Sequence, residues 1–230
     1  MKLIFLLMLL FANICQATVV FGPVNFSTGG IGDLIDLFGF YSHPAGTWTV
    51  QADPGGFGSQ VAFTSSGGLW KTSFIGSTNY TDGEIGARLV AYGTAGAIIF
   101  RCNTILAEDN AYPTDGYSLL HVGGVWDLRR QADGFSFGTV SPVGPGPWDF
   151  VLRCTGTRIQ GFVDGVRYWD VTDSTTPFGK PGVISVFAST YITNIYVDDL
   201  IAVPTPVPSV KQTVRVPIDE IRRVPADQLK

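Results

Sequence analysis

The sequence predicts an all-β fold made of two stacked antiparallel sheets. Helical periodicity is almost absent from the 230-residue chain, and short apolar runs alternate with turn residues. The runs are punctuated by 28 glycines and 14 prolines, and 45% of the residues are hydrophobic, which is too apolar for a disordered chain. About a dozen strands are more than one open sheet usually holds, so two sheets are expected to pack face to face.

Twelve segments are predicted as strands because each is short, apolar and bounded by turn residues such as Asp53–Gly56 or Pro142–Pro147. Residues 34–40 are compatible with either a short helical turn or a loop. The predicted strands are Val24–Phe26, Thr47–Ala52, Gln60–Thr64, Leu69–Phe74, Gly83–Tyr92, Ala97–Cys102, Tyr117–Val122, Val125–Arg130, Phe150–Thr155, Arg158–Val163, Val183–Ala188 and Thr193–Val203.

The first segment, residues 1–17, has the pattern of a signal peptide. Lys2 precedes an apolar run from Leu3 to Ala12, and Cys15-Gln16-Ala17 is an acceptable cleavage site. Cleavage after Ala17 would export the protein to the extracellular space, or to the periplasm in a Gram-negative host. An uncleaved anchor and a lipoprotein modified at Cys15 are the alternatives. We expect no membrane span once the signal is removed, because no later segment reaches 18 apolar residues.

The remainder divides into a folded domain and a C-terminal extension. We place the domain at residues 18–202. Residues 203–208 have Pro at every second position and predict an extended linker, since Pro lacks the N–H that a central strand needs. Residues 209–230 form either a solvated tail or an arm that docks on a partner, with a homo-oligomer as one expected outcome.

Charge excludes one class of partner. Only 15% of the residues are charged, and residues 18–202 carry 9 Lys or Arg against 16 Asp or Glu, a net charge of −7. Phosphate binding needs clustered positive charge, so a nucleic-acid partner is not expected.

Two cysteines follow the signal segment, Cys102 and Cys154. Export would permit a disulfide between them, whereas buried free thiols are the alternative. No Cys-x-x-Cys or Cys/His spacing exists, so a zinc site is unsupported.

Four charged residues on predicted strands are candidates for polar contacts. Glu84 and Arg88 share one face of their strand because side chains alternate. Arg101 and Arg153 lie among apolar neighbours, where a lone charge would be costly without a partner or solvent. These residues form either internal ion pairs on an exposed sheet face or a polar floor for a sugar or uronate, with Arg forks holding a carboxylate.

Several short motifs, taken in order, resemble the concanavalin A-like lectin/glucanase superfamily and, within it, laminin-G-like domains. The resemblance covers about residues 20–202 and rests on the order and spacing of its motifs. They are Asp82–Arg88, Gly96–Arg101, Asp115–Leu120, Trp148–Arg153, Ile159–Gly165, Gly179–Ile184 and Tyr196–Leu200.

The resemblance implies a jelly-roll sandwich in which the first strand, near Phe26, pairs with the last, near Val197. It also implies a hairpin turn at the end of Phe162–Gly165. Calcium is common in this superfamily, so Asp198 and Asp199, with backbone oxygens near Ser27–Gly30, are candidate calcium ligands. A solvated carboxylate pair is the alternative.

Members of this superfamily are glycan-binding modules, adhesion domains, glycoside hydrolases or polysaccharide lyases. The laminarinase-like branch carries Glu-x-Asp-x-x-Glu on one strand, whereas here Glu84 stands alone, with Gly86 and Arg88 at the other positions. The Gln-x-His strand of the alginate-lyase branch is also missing. We therefore expect binding without catalysis.

The leading hypothesis is an exported module that binds a carbohydrate or surface partner through the concave sheet face or the loop rim. Polar contacts are assigned to Glu84, Arg88, Arg101 and Arg153, and ring stacking to Trp126 and Tyr112, although core packing is the alternative for either aromatic residue. A structural subunit of an extracellular or virion assembly, joined through residues 209–230, is the second hypothesis. A hydrolase or lyase with an unusual site is the third.

Overall fold

The structure is a computed structural model of the 230-residue chain. It describes residues 18–24, 26–28, 35–42, 48–54, 60–64, 70–90, 96–106, 112–141, 146–186 and 190–199. The predicted signal segment, the linker 203–208 and the arm 209–230 lie outside these ranges. Among the described residues, no helix is long and apolar enough to cross a membrane.

The described residues form seventeen strands and one short 3₁₀ helix, η1, at Ile35–Phe38. The strands are β1 (Thr18–Val24), β2 (Phe40–Ser42), β3 (Thr49–Ala52), β4 (Gln60–Thr64), β5 (Trp70–Ile75), β6 (Gly83–Leu89), β7 (Gly96–Cys102), β8 (Ile105–Leu106), β9 (Tyr112–Pro113), β10 (Tyr117–Val122), β11 (Val125–Arg130), β12 (Phe135–Val140), β13 (Trp148–Thr155), β14 (Arg158–Val163), β15 (Val166–Thr172), β16 (Lys180–Val186) and β17 (Thr190–Asp199).

Two antiparallel sheets form the sandwich, which confirms the predicted fold class. The eight-stranded sheet has the order β15-β14-β13-β6-β17-β4-β3, and β1 also pairs with β17. The seven-stranded sheet has the order β12-β11-β10-β7-β16-β5-β2, and β8 and β9 form a small separate hairpin. Phe21 of the first strand faces Val197 of the last, as the resemblance implied. Asp164 and Gly165 form the predicted turn, with φ angles of 49° and 75°.

The core lies between the two sheets and follows the alternation of the strands. Along β13, for example, Trp148, Phe150, Leu152 and Cys154 are buried, whereas the intervening side chains face outward. A second buried cluster, which includes Trp70, Ile99 and Leu120, lies on the outer face of the seven-stranded sheet. Tyr112 of the β8–β9 hairpin packs against this cluster.

Candidate functional site

The outer face of the eight-stranded sheet gathers three of the predicted polar residues. Strands β13, β6 and β17 are neighbours, and their registers align outward-facing side chains in three rows. Glu84, Arg88 and Arg153 therefore lie on one surface, as their positions in the sequence predict. The rows are Arg153–Glu84–Asp198, Val151–Gly86–Tyr196 and Asp149–Arg88–Thr193.

Tyr196 lies in the middle row, and its ring crosses the neighbouring strand above Gly86. A methyl group added at Gly86 would lie 2.2 Å from Cε1 and 2.6 Å from the hydroxyl oxygen of Tyr196. The hydroxyl donates a hydrogen bond to Oε1 of Glu84 at 3.1 Å. Burial, reinforced by the charge of Glu84, raises the pKa of the Tyr196 phenol, so it stays neutral and remains a donor.

An ion pair lies on each side of this ring. Arg153 donates from Nε to Oε2 of Glu84 at 2.7 Å, and Nη2 lies 2.6 Å from the same oxygen. Arg88 donates two parallel hydrogen bonds to Asp149, from Nε to Oδ1 at 2.8 Å and from Nη2 to Oδ2 at 2.7 Å. The second pair is the more open, with 34% of the Arg88 side chain and 55% of the Asp149 side chain exposed.

The ring and the Arg88–Asp149 pair border an open groove of about 490 Å³. We call this the Tyr196 groove. Its walls combine apolar and polar groups, and it is lined by Pro23, Ala87, Arg88, Asp149, Phe150, Val151, Asn194 and Tyr196. A site of this size with mixed walls is suited to a small ligand that has both apolar faces and hydroxyl groups.

Asp198 lies at the end of the first row, and Asp199 follows it on the same strand. Burial, with further contributions from Glu84 and Asp199, raises the pKa of Asp198. Asp199 also acts on Tyr80, whose pKa is raised by burial and then by the charge of Asp199. Over the described ranges, no three His, Cys, Asp or Glu side chains converge as metal ligands. The candidate calcium site also includes backbone oxygens of Gly29 and Gly30, which lie outside the described residues, so calcium binding by Asp198 and Asp199 stays a prediction.

Arg101 does not lie on the outer face with the other charged residues. It is fully buried and occupies a β-bulge, where β7 has one more residue than β16 and the Arg101 φ angle is 59°. The bulge turns the guanidinium toward one end of the sandwich, where it donates to the carbonyl oxygens of Thr81 at 2.8 Å and Gly156 at 2.7 Å. Arg101 is thus part of the framework and has no surface to offer a ligand.

Neither of the aromatic residues chosen for stacking contributes to the Tyr196 groove. Trp126 is fully buried, with its ring centre 4.8 Å from that of Phe150 and 5.0 Å from that of His121. Burial leaves no face of the indole for a sugar. Tyr112 lies on the opposite sheet, where its ring meets that of Trp70 edge-on at 4.7 Å.

The two cysteines are free thiols, and both are buried. Cys102 belongs to the cluster on the outer face of the seven-stranded sheet, whereas Cys154 lies in the core between the sheets. The predicted alternative of buried thiols is the arrangement observed, because these locations separate the two sulfur atoms.

A second groove, of about 260 Å³, opens on the outer face of the seven-stranded sheet beside Trp70. Its walls are almost entirely apolar, apart from an ion pair in which Nη2 of Arg129 donates to Oδ2 of Asp127 at 2.6 Å. It therefore offers fewer hydrogen-bonding groups than the Tyr196 groove. The lining residues are Trp70, Leu120, Val122, Val125, Asp127, Arg129 and Thr139.

Among the eight residues that line the Tyr196 groove, sequence reasoning predicted only Arg88, and the missed residues on which the site most depends are Tyr196 and Asp149. Asp149 lies four residues before Arg153 on the same strand, so side-chain alternation places both on one face, and this can be inferred from the sequence. Tyr196 belongs to the site only because of the register between β6 and β17, which contains a bulge between Thr193 and Tyr196. Sequence alone does not specify that register.

Comparisons with known proteins support the fold. No protein-family model matches the chain, and no curated protein matches it. Among solved structures, the carbohydrate-binding module CBM66 from Bacillus subtilis is similar over 70% of this chain and 95% of its own, with 15% identity and a TM-score of 0.54. A Bacillus subtilis protein of unknown function with a galectin-like fold is similar over 70% of this chain and 88% of its own, with 11% identity and a TM-score of 0.52.

The exoplasmic/lumenal domain of VIP36, bound to Ca²⁺ and Man3GlcNAc, covers 76% of this chain and 90% of its own, with 10% identity and a TM-score of 0.51. At these identities the likeness concerns the fold, which many unrelated functions share. The chain is an all-β jelly-roll sandwich of the kind found in lectin-like carbohydrate-binding proteins.

Proposed function

We propose that the protein is a non-catalytic carbohydrate-binding module and that the Tyr196 groove holds the sugar. The observation that carries the proposal is the Tyr196 ring, placed above Gly86 with the Glu84–Arg153 pair on one side and the Arg88–Asp149 pair on the other. This arrangement places an aromatic ring within reach of hydrogen-bonding groups on both sides.

The chemistry of a pyranose matches this arrangement. A sugar ring has an apolar C–H face and a rim of hydroxyl groups, so it needs an aromatic surface together with donors and acceptors. The Tyr196 ring supplies the surface. The carboxylate of Asp149 accepts hydrogen bonds from hydroxyl groups, and the guanidinium of Arg88 donates them. Because the ion pairs fix these side chains before a ligand arrives, less conformational entropy is lost on binding.

The fold neighbours support the same class of ligand. CBM66 is named as a carbohydrate-binding module, and the VIP36 domain was solved with Man3GlcNAc bound. The laminin-G-like assignment and the glycan or surface partner of this chain belong to the proposal. The sequence prediction of an exported protein is consistent with it, because most large glycans lie outside the cell.

The positions of Glu84 and Asp198 favour binding over hydrolysis. They are cross-strand partners and in that respect resemble the paired carboxylates of a retaining glycosidase. Both oxygens of Glu84 are already engaged, Oε2 by Arg153 and Oε1 by Tyr196. Its side chain is 10% exposed, and neither carboxylate lines the Tyr196 groove. Glu84 therefore serves to position the ring and the guanidinium.

A glycan-array screen of the protein, run with calcium and again with EDTA, tests the proposal. The Tyr196→Ala variant removes the aromatic surface, and Tyr168→Ala is the matched control, since Tyr168 is 40% exposed on β15 of the same sheet. We expect the wild type and Tyr168→Ala to bind the same glycans and Tyr196→Ala to lose about tenfold or more in affinity. Loss of binding in EDTA would identify calcium as part of the site, with Asp198 and Asp199 as its candidate ligands. A blank array from folded protein, or an unchanged Tyr196→Ala profile, would overturn the proposal.

The sequence-based assembly hypothesis concerns residues 209–230, which lie outside the described ranges. It makes a separate prediction: a chain ending at Ala202 stays folded but runs at a smaller assembled mass than the full chain. Equal monomer masses for the two would contradict it.

A further inference from the structure

We infer that the ligand of the Tyr196 groove is a neutral glycan, and that sugars carrying a carboxylate, such as uronic or sialic acids, are excluded. This inference rests on the proposed function and adds the chemical class of the ligand. It departs from the sequence-based alternative in which the arginines hold a uronate.

The guanidinium groups that would recognise a carboxylate are already paired. Asp149 occupies the Nε/Nη2 edge of Arg88 in the bidentate geometry that an incoming carboxylate would need. Glu84 occupies the same edge of Arg153. A uronate that used this edge would have to displace one of these carboxylates and leave it without its partner, at a cost that a neutral hydroxyl group does not incur. A uronate on the remaining Nη1 group would lie beside the carboxylate already bound and be repelled by it.

The charges around the groove also oppose an anion. Arg88 pairs with Asp149, and Arg153 pairs with Glu84. Asp198 lies opposite Glu84 on the neighbouring strand and adds a further carboxylate. Asp164 is close enough to Arg88 to help raise its pKa, although the hydrogen bond with Asp149 is the larger cause. The carboxylates thus outnumber the guanidinium groups. Strands β6, β13 and β17 contain no lysine that would reverse the balance.

An ion pair between Arg158 and Asp170 lies on the same sheet, outside the groove. Arg158 donates to both oxygens of Asp170, at 2.6 and 2.5 Å, and Arg167 lies 3.0 Å from the same carboxylate. Two guanidinium groups here share one carboxylate, so this pair lacks the acidic excess of the groove. Asp170 is therefore a suitable control for the effect of removing one carboxylate from this face.

A neutral ligand uses the same groups without displacing them. The remaining lone pairs of the Asp149 carboxylate accept hydroxyl donors, because an ionised carboxylate has about four acceptor sites and the pair with Arg88 occupies only some of them. The sugar ring then covers Tyr196. Binding of this kind involves no net charge transfer to the site, so its affinity should depend little on ionic strength.

Calorimetric titration with matched tetrasaccharides tests the inference. The neutral probes are tetramers of mannose, glucose and galactose, and the acidic probes are tetramers of mannuronate, glucuronate and galacturonate. We expect at least one neutral probe to bind about tenfold more tightly than its acidic counterpart. Asp149→Asn, which releases the Arg88 fork, should reduce that preference by about threefold or more, whereas Asp170→Asn should leave it unchanged.

The outcomes separate the inference from the proposed function. Acidic probes that bind as tightly as neutral ones, with affinity lost in Tyr196→Ala, would overturn the inference and leave the proposed groove in place. Loss of the neutral preference in Asp170→Asn but not in Asp149→Asn would also overturn the inference. No binding by any probe, or binding that Tyr196→Ala does not weaken, would overturn the proposed function and the inference together.

Discussion

Cε1 of Tyr196 lies only 2.2 Å from the place where residue 86 would carry a β-carbon. Real β-carbons do not approach other carbons this closely, so only glycine at position 86 allows the phenol ring to rest above β6. The pairing of Gly86 with Tyr196 across the strands therefore creates the aromatic surface of the groove. The groove depends on the absence of a side chain as much as on the side chains present.

Gly86→Ala is predicted to displace the Tyr196 ring and weaken glycan binding by about tenfold. The added methyl group also strains the sheet, so a loss of about 1–3 kcal/mol in unfolding free energy is expected. Gly161→Ala is the matched control, since its methyl group would meet Trp169 at 2.7 Å elsewhere in the same sheet. Denaturant unfolding should show that both variants are destabilised, whereas titration should show that only Gly86→Ala loses affinity. Equal affinities for the two variants would contradict the role assigned to Gly86.

Arg101→Ala is predicted to destabilise the fold by about 3–5 kcal/mol. The guanidinium is fully buried, and its removal leaves the carbonyl oxygens of Thr81 and Gly156 without a donor. Arg158→Ala should change stability far less, because its side chain is 54% exposed and solvent screens its ion pair. Urea unfolding of both variants measures the difference. A loss for Arg101→Ala as small as that for Arg158→Ala would show that Arg101 is not a framework residue.

The stability of the protein is predicted to fall in acid, partly through Asp173. Burial of Asp173 would raise its pKa, but the hydrogen bonds it receives from Tyr117, Thr175 and Arg130 outweigh burial and lower it. The folded-state pKa then lies below the unfolded value of about 3.9. The stabilising contribution is therefore fully present above the unfolded pKa and is lost as pH falls through the folded pKa.

Asp173→Asn should lower the unfolding free energy by about 2 kcal/mol at pH 7. The difference from the wild type should shrink as the pH falls from about 4 through the lower folded-state pKa, because the native carboxylate is then protonated as well. Asp133→Asn is the control, because Asp133 pairs with the same Arg130 but has a 52% exposed side chain, so its effect should be smaller. A wild-type advantage over Asp173→Asn that grows toward low pH would reverse the predicted sign.

Cys102 and Cys154 are predicted to be unreactive in the folded protein. Burial raises the pKa of the Cys154 thiol to about 12 and also raises that of Cys102, so little thiolate forms at neutral pH. Peptide mapping after alkylation should find both unmodified in the native protein and both modified after unfolding. Recovery of a disulfide-linked pair of peptides carrying Cys102 and Cys154 would contradict the observed positions of the thiols.

The fold was largely predictable from sequence because the central strands alternate clearly. The predicted bounds of Gln60–Thr64, Tyr117–Val122, Val125–Arg130 and Arg158–Val163 are those observed. Five observed strands were missed, and the two longest of them, Phe135–Val140 and Val166–Thr172, both lie at sheet edges. Edge strands are largely exposed, so they need no regular apolar alternation and show a weak signal.

The candidate site was predictable only where strand parity is unbroken. Glu84 and Arg88 occupy alternate positions of a regular strand, and they share a face as expected. Arg101 has a similar sequence context, but the bulge at its position changes the direction of its side chain. A second bulge, at Asn194 with a φ angle of 50°, changes the face of the sheet on which the Tyr196 side chain lies. Bulges and cross-strand register depend on tertiary contacts, which explains why Arg101 was assigned to the site and Tyr196 was not.

The central claim is that Tyr196, lying above Gly86, forms the surface on which a neutral sugar binds. A crystal structure of the protein with a bound neutral tetrasaccharide tests it most directly. We expect one sugar ring to contact the Tyr196 ring at about 4 Å, with its hydroxyl groups donating to Asp149. A tetrasaccharide bound in the groove beside Trp70, with the Tyr196 ring uncovered, would contradict the claim and move the binding site to the other sheet.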